Sequence, residues 1–148
     1  MKRKSLRIRV KAGDTDFSGN IFHPRIVEWF SLGRIELLRS NRITFMNNGY
    51  INIEGNPQKI SLVVGEIYAR FHAPIRFDDE VILLTKVSEI REKTIRFDFK
   101  VQHASNKKIL VTGWSISVCI NKKKCKASPL PNKMVELLKG NKNILTHM

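Results

Sequence analysis

A chain of 148 residues with 42% hydrophobic content is long enough to bury one core without disulfides or metal. It holds no apolar run near the roughly 20 residues that span a bilayer. Its net charge of +14 invites a nucleic-acid reading, but residues 1–11 hold six Lys or Arg and no acid, and residues 121–148 hold seven Lys and one Glu, so the ends carry +12 and residues 12–120 only +2. Solvated basic ends around a near-neutral middle argue against nucleic acid as the main partner. The start, MKRKSLRIRV, alternates instead of opening an apolar segment, so it is not read as a secretory signal. Cys119 and Cys125 form no disulfide framework, and a cytoplasmic setting is expected. The chain is read as one domain over residues 1–148, with a basic tail from about residue 122.

Leu6, Ile8 and Val10 alternate with Arg7, Arg9 and Lys11, the period of a half-buried strand. It ends at Gly13, where a turn holding Asp14 and Asp16 leads to a long helix. Pro24 marks the helix start, because proline at the first helical position gives up no hydrogen bond. Ile26, Val27, Trp29, Phe30, Leu32, Ile35, Leu37 and Leu38 leave only a narrow polar stripe of Arg25, Glu28, Glu36 and Arg39, which predicts a helix buried on several sides. Gly33 in its middle predicts the close approach of another backbone.

Residues 41–60 contain Asn48-Gly49, Gly55 and Pro57 and show no period. They read as a long irregular loop forming a wall or lid of a site. Strands follow for some 60 residues. Val63, Gly65, Ile67, Ala69 and Phe71 are expected on one face of the first, with Glu66, Tyr68, Arg70 and His72 on the other. Val81 to Val87 follows an acidic turn at Asp78-Asp79-Glu80. Ile95, Phe97, Phe99 and Val101 then alternate strictly with Arg96, Asp98, Lys100 and Gln102, and a hairpin at Ser105-Asn106 leads into a last strand ending at Ile120. Asn132 to Lys139 reads as a short helix before a frayed tail. One long helix and about five strands define an α+β domain in which a curved antiparallel sheet wraps the helix and turns a polar face outward.

Asp16-Phe17-Ser18-Gly19 has Asp first and Gly fourth, the pattern of a type I turn, so Asp16 can serve its own turn. A second role follows from its position. A carboxylate just before a buried helix N-terminus lies beside unpaired N–H groups and a positive dipole end. Such N–H groups polarise a carbonyl and hold the oxyanion formed on attack, while the acid attacks the carbon or activates water.

The run D-x-D-x-x-G-x-I-F-H-P before a helix resembles the hot-dog-fold acyl-CoA thioesterases of the 4-hydroxybenzoyl-CoA thioesterase and YbgC-like group. ARFHAPIRFDDEVILLTKV resembles the same family's second strand, Ala-Pro turn, Asp-Asp and third strand, and the likeness covers roughly residues 6–120. The resemblance implies a cofactor-independent acyl-CoA thioesterase. Asp16 matches the catalytic carboxylate, as nucleophile or general base, and Asp14 a structural acid. Gly19 matches the glycine that lets the thioester approach the backbone. The backbone N–H of His23 matches the oxyanion donor, and its side chain either assists catalysis or caps the helix. Arg91 and Lys93 match residues that bind CoA phosphates. A dimer pairing two sheets edge to edge, with sites at the subunit boundary, and often a tetramer, is implied as well.

The chain departs from this pattern at Asn20, where the family carries an aliphatic residue, at Ile26, where it often carries Tyr, and at Ser31, where the hydroxybenzoyl branch carries an acid that senses the phenol. Hydroxybenzoyl-CoA is therefore not the implied substrate. Alternatives are an acyl carrier protein thioesterase and a non-catalytic acyl-CoA or nucleic-acid binder. Glu66 reads as a structural acid and Cys125 as an incidental thiol. The histidines lack metal-ligand spacing, and Asp14 with Asp16 alone makes a poor cation site.

Overall fold

The computed structural model describes residues 1–140. Strand β1 (Arg3–Arg9) leads through a 3-10 turn at Ala12–Asp14 to helix α1 (Pro24–Arg39). Strands β2 (Ile43–Phe45), β3 (Ile51–Ile53) and β4 (Asn56–Pro57) form a small antiparallel sheet. The long strands β5 (Ile60–Phe71), β6 (Glu80–Ile90), β7 (Thr94–His103) and β8 (Ile109–Asn121) follow, then β9 (Lys126–Ala127) and α2 (Asn132–Lys139).

The main sheet has the order β1-β6-β7-β8-β5, with β9 added on β8. All its long pairs are antiparallel. β5 crosses to the far side and pairs with β8, which leaves its other edge without a partner strand among the described residues. The alternation read in β7 holds: Ile95, Phe97, Phe99 and Val101 are buried, and the intervening polar residues face away from α1. This is the expected α+β architecture, a curled antiparallel sheet around one long helix.

α1 begins at Pro24, as its sequence predicts. Ile26, Trp29, Phe30, Gly33, Leu37 and Leu38 are buried against the sheet, and the Phe30 ring stacks on Phe99 with centroids 4.2 Å apart. Val27 and Leu32 remain 39% and 41% exposed. The expectation of burial on several sides is thus corrected, because the main sheet and β2 leave the flank of Val27 and Leu32 uncovered. Gly33 is corrected too. A Cβ there would lie 2.3 Å from Thr85 Oγ1 and 3.0 Å from Leu83 Cδ2, so what it admits is two side chains of β6 and not a backbone.

Residues 41–60 are not an irregular loop. β2 and β3 pair from Ile43–Ile53 to Phe45–Ile51, and Ile43, Ile51 and Ile53 are buried. Gly49, at φ +86°, turns the hairpin. Three-residue strands are too short to display a period, although Asn48-Gly49 was itself the hairpin signal.

The face assignment in β5 also changes. A bulge between Val64 and Glu66 takes Gly65 out of register. Val64, opposite Ser117, and not Val63, therefore shares a face with Ile67, Ala69 and Phe71. At the other end, α2 buries Met134 and Leu138 completely, and the Lys2 N–H donates to Leu138 O at 3.0 Å. The frayed tail expected after Lys139 falls largely outside the described residues.

Candidate active site

The turn carrying the two acids is pinned where β1 ends. The Val10 N–H donates to Asp79 O and the Asp78 N–H to Val10 O, each at 2.9 Å. Asp14 points inward. Its Oδ2 accepts the Lys11 N–H at 2.9 Å, its Oδ1 lies 3.4 Å from Arg25 Nε, and its backbone oxygen accepts the Phe22 N–H at 2.8 Å. Asp14 therefore ties the turn to the first turn of α1, a structural role.

Asp16 is only half-buried. Its backbone closes the turn, with its N–H on Asn20 O at 2.8 Å and its oxygen accepting the Gly19 N–H at 3.1 Å. Its Oδ1 accepts both the Ser18 N–H, at 2.8 Å, and the Ser18 hydroxyl, at 2.5 Å. Those bonds, with smaller contributions from the Asn20 backbone and then the nearby His23, hold its pKa below the ordinary carboxylate value. Its Oδ2 carries no hydrogen bond among the described residues. The turn role and an available carboxylate oxygen are thus compatible in one residue.

Gly19 has φ +87°, a left-handed conformation that favours glycine, and its oxygen accepts the Phe77 N–H at 3.4 Å. The strand-like contact of Asn20 with Arg76, and the Ile21 N–H on Ile75 O at 2.7 Å, lay this turn along the segment before β6.

His23 sits at the N-cap of α1 in helical conformation, and its exposed side chain makes no capping bond. The row of free amides expected at the helix start is narrower than the sequence implied. Pro24 has no N–H, and the N–H groups of Arg25 and Ile26 are taken by Phe22 O at 2.8 Å and His23 O at 3.1 Å. The His23 N–H has no acceptor among the described residues.

Arg91 and Lys93 sit at the tip of the β6–β7 hairpin, where Arg91 is exposed and paired with Glu89. The acid turn adjoins the opposite end of β6. Ten residues of strand, at about 3.3 Å each, put these two groups roughly 30 Å from Asp16 in the same chain. The fold of one chain does not bring them together.

Arg34 escaped the sequence reading, which placed it in neither the apolar face nor the polar stripe. It is 9% exposed, makes no ion pair among the described residues, and burial lowers its pKa. A cation four residues after Phe30 on the apolar face was the available signal. Cys119 is buried, which pushes its thiol up to about 11, and Cys125 is exposed. No helix among the described residues is long and apolar enough to cross a membrane.

A curled antiparallel sheet on a long helix, with a carboxylate turn leading into the helix start, defines the hot-dog thioesterase class. The family model described as the Thioesterase-like superfamily matches residues 10–138. The chain belongs to that family. It is 26% identical over 128 residues to the acyl-CoA thioester hydrolase YbgC of Escherichia coli, covering 86% of this chain and 90% of that protein. To the acyl-CoA thioesterase YbgC of Haemophilus influenzae it is 25% identical over 131 residues, covering 88% and 90%. Among solved structures, a probable thioesterase from Bartonella henselae is similar at TM-score 0.73 and 28% identity, over 87% of this chain and 99% of that one. Slr0204, a 1,4-dihydroxy-2-naphthoyl-CoA thioesterase from Synechocystis, shares the fold at TM-score 0.82 and 17% identity, over 95% and 98%.

Proposed function

We propose that this protein hydrolyses an acyl-CoA thioester to free acid and CoA, with Asp16 and the His23 amide as its catalytic pair. The observation that carries the reading is local. Among the described residues, one short turn presents a carboxylate oxygen without a hydrogen bond a few residues before a helix-start N–H that has no acceptor. The thioester carbonyl oxygen accepts the His23 N–H, which polarises the carbon and then holds the oxyanion. Asp16 Oδ2 either adds to that carbon, giving a mixed anhydride that water cleaves, or takes a proton from a water that adds instead. In both routes the C–S bond breaks and CoA leaves as thiolate. Gly19 keeps the turn flat enough for the thioester to approach.

A dimer completes this reading. The open edge of β5 carries Val63, Val64, Ile67 and Phe71, all more than a third exposed, and Phe17 and Phe77 are exposed on the catalytic side. Antiparallel pairing of two such edges buries these side chains and carries the hairpin of one copy toward the turn of the other. Arg91 and Lys93 would then serve the CoA phosphates of a site they cannot reach in their own chain. The whole chain is taken as one hot-dog domain working in the cytoplasm, with no cofactor.

The test is thiol release from acyl-CoAs of short, long and aromatic acyl groups by wild type and Asp16→Asn. Wild type is expected to hydrolyse at least one, and the variant to lose about 10²-fold or more in kcat/KM. Equal activity of the two proteins, or none in either, would overturn the role of Asp16.

A further inference from the structure

The side of the main sheet turned away from α1 holds a cavity of about 620 Å³, a size suited to a small ligand. Its floor is strand backbone at Thr85, Phe99 and Gly113, left open because Ser5 and Thr112 are small. One wall is aromatic. Tyr68 and Trp114 stand opposite each other on β5 and β8, with ring centroids 5.8 Å apart and planes within 15°. The Arg96 guanidinium lies 4.8 Å from the Trp114 ring centroid.

The other walls are cationic. Cross-strand register puts Arg3, Lys86 and Asp98 in the row of Trp114, and Ser5, Leu84, Lys100 and Thr112 in the next. The one acid of the cavity, Asp98, is taken by Arg96 at 2.9 Å. Arg3, Lys86 and Lys100 make no ion pair or side-chain hydrogen bond among the described residues, so the cavity has three unneutralised cations beside an aromatic wall.

Unpaired cations next to an exposed Tyr68 ring and a half-buried Trp114 ring fit one ligand chemistry: a planar base joined to phosphates. An acyl chain would leave the cations unused, and a simple anion would leave the rings unused. We infer that this cavity is a second ligand site, for a nucleotide, its base against the Tyr68–Trp114 wall and its phosphates on Arg3, Lys86 and Lys100. It is separate from the proposed thioesterase site, because α1 and the His23 amide lie across the sheet. The nucleotide comes either free or as a unit of a single strand.

Calorimetric titration of the whole chain with ADP, pyrophosphate and a short oligoadenylate tests this. ADP or oligoadenylate is expected to bind, and pyrophosphate at least 10-fold more weakly. Trp114→Ala and the double variant Lys86→Ala/Lys100→Ala should each weaken binding about 10-fold or more, with thioester hydrolysis unchanged. Equal affinity for ADP and oligoadenylate identifies a free nucleotide, and a much tighter oligoadenylate identifies a strand. Three results would overturn the site: no binding by either, pyrophosphate binding as well as ADP, or variants that bind like wild type. A parallel fall in kcat/KM would also overturn it by merging the cavity with the substrate site. Loss of activity in Asp16→Asn bears on none of these titrations, so the two readings fail separately.

Discussion

Ser18 holds one oxygen of Asp16 twice, its backbone N–H and its hydroxyl both converging on Oδ1. Donors aimed at a carboxylate favour its charged form, and the pKa is lowered accordingly. Being lower in the folded chain than in the unfolded one, it gives stability that is present above the unfolded value and lost as pH falls through the folded one. Ser18→Ala removes the stronger donor and should move the acidic limb of kcat/KM to higher pH, leaving the plateau near neutrality less affected. A limb that stays in place would show that Asp16 is not the titrating group.

His23 contributes a backbone amide whatever its side chain is. That side chain makes no capping bond, so His23→Ala should change stability by no more than about 0.5 kcal/mol in urea unfolding. Any fall in kcat then reads the imidazole itself. An unchanged kcat would assign His23 to the oxyanion amide alone.

The open edge of β5 supplies a third test. Ile67 is 40% exposed there and lies on the helix side of the sheet. Ile67→Asp should produce monomers in sedimentation and lower hydrolysis about 10-fold or more, since buried charge opposes apolar pairing. A fully active monomer would place the whole site within one chain.

Gly113 is required by packing. A Cβ at this position would come within 2.3 Å of Tyr68 O and 2.6 Å of Phe30 Cε2. The first of these is backbone within a ladder and cannot step aside. Gly113→Ala should therefore destabilise by about 1–3 kcal/mol, read as a lower urea midpoint at constant slope. A smaller cost would mean that β5 and β8 are less tightly laced than their register indicates.

Much of this protein is written locally. Pro24 set the start of α1, strict alternation set β7, and D-x-D-x-x-G before His23 and Pro24 marked the turn proposed as catalytic, because each depends on residues a few positions apart. The short β2–β3 hairpin was missed for want of length, and the bulge at Gly65 because alternation assumes unbroken register.

Other features depend on elements far apart in the chain. The pairing of β5 with β8 leaves an edge open, the length of β6 separates Arg91 from Asp16, and the ladder gathers Arg3, Lys86, Lys100 and Trp114 around one cavity. Periodicity tells which side of a strand a residue occupies but not which strand lies beside it. Neighbour relations across the sheet are set by long-range packing, and only the folded chain decides them.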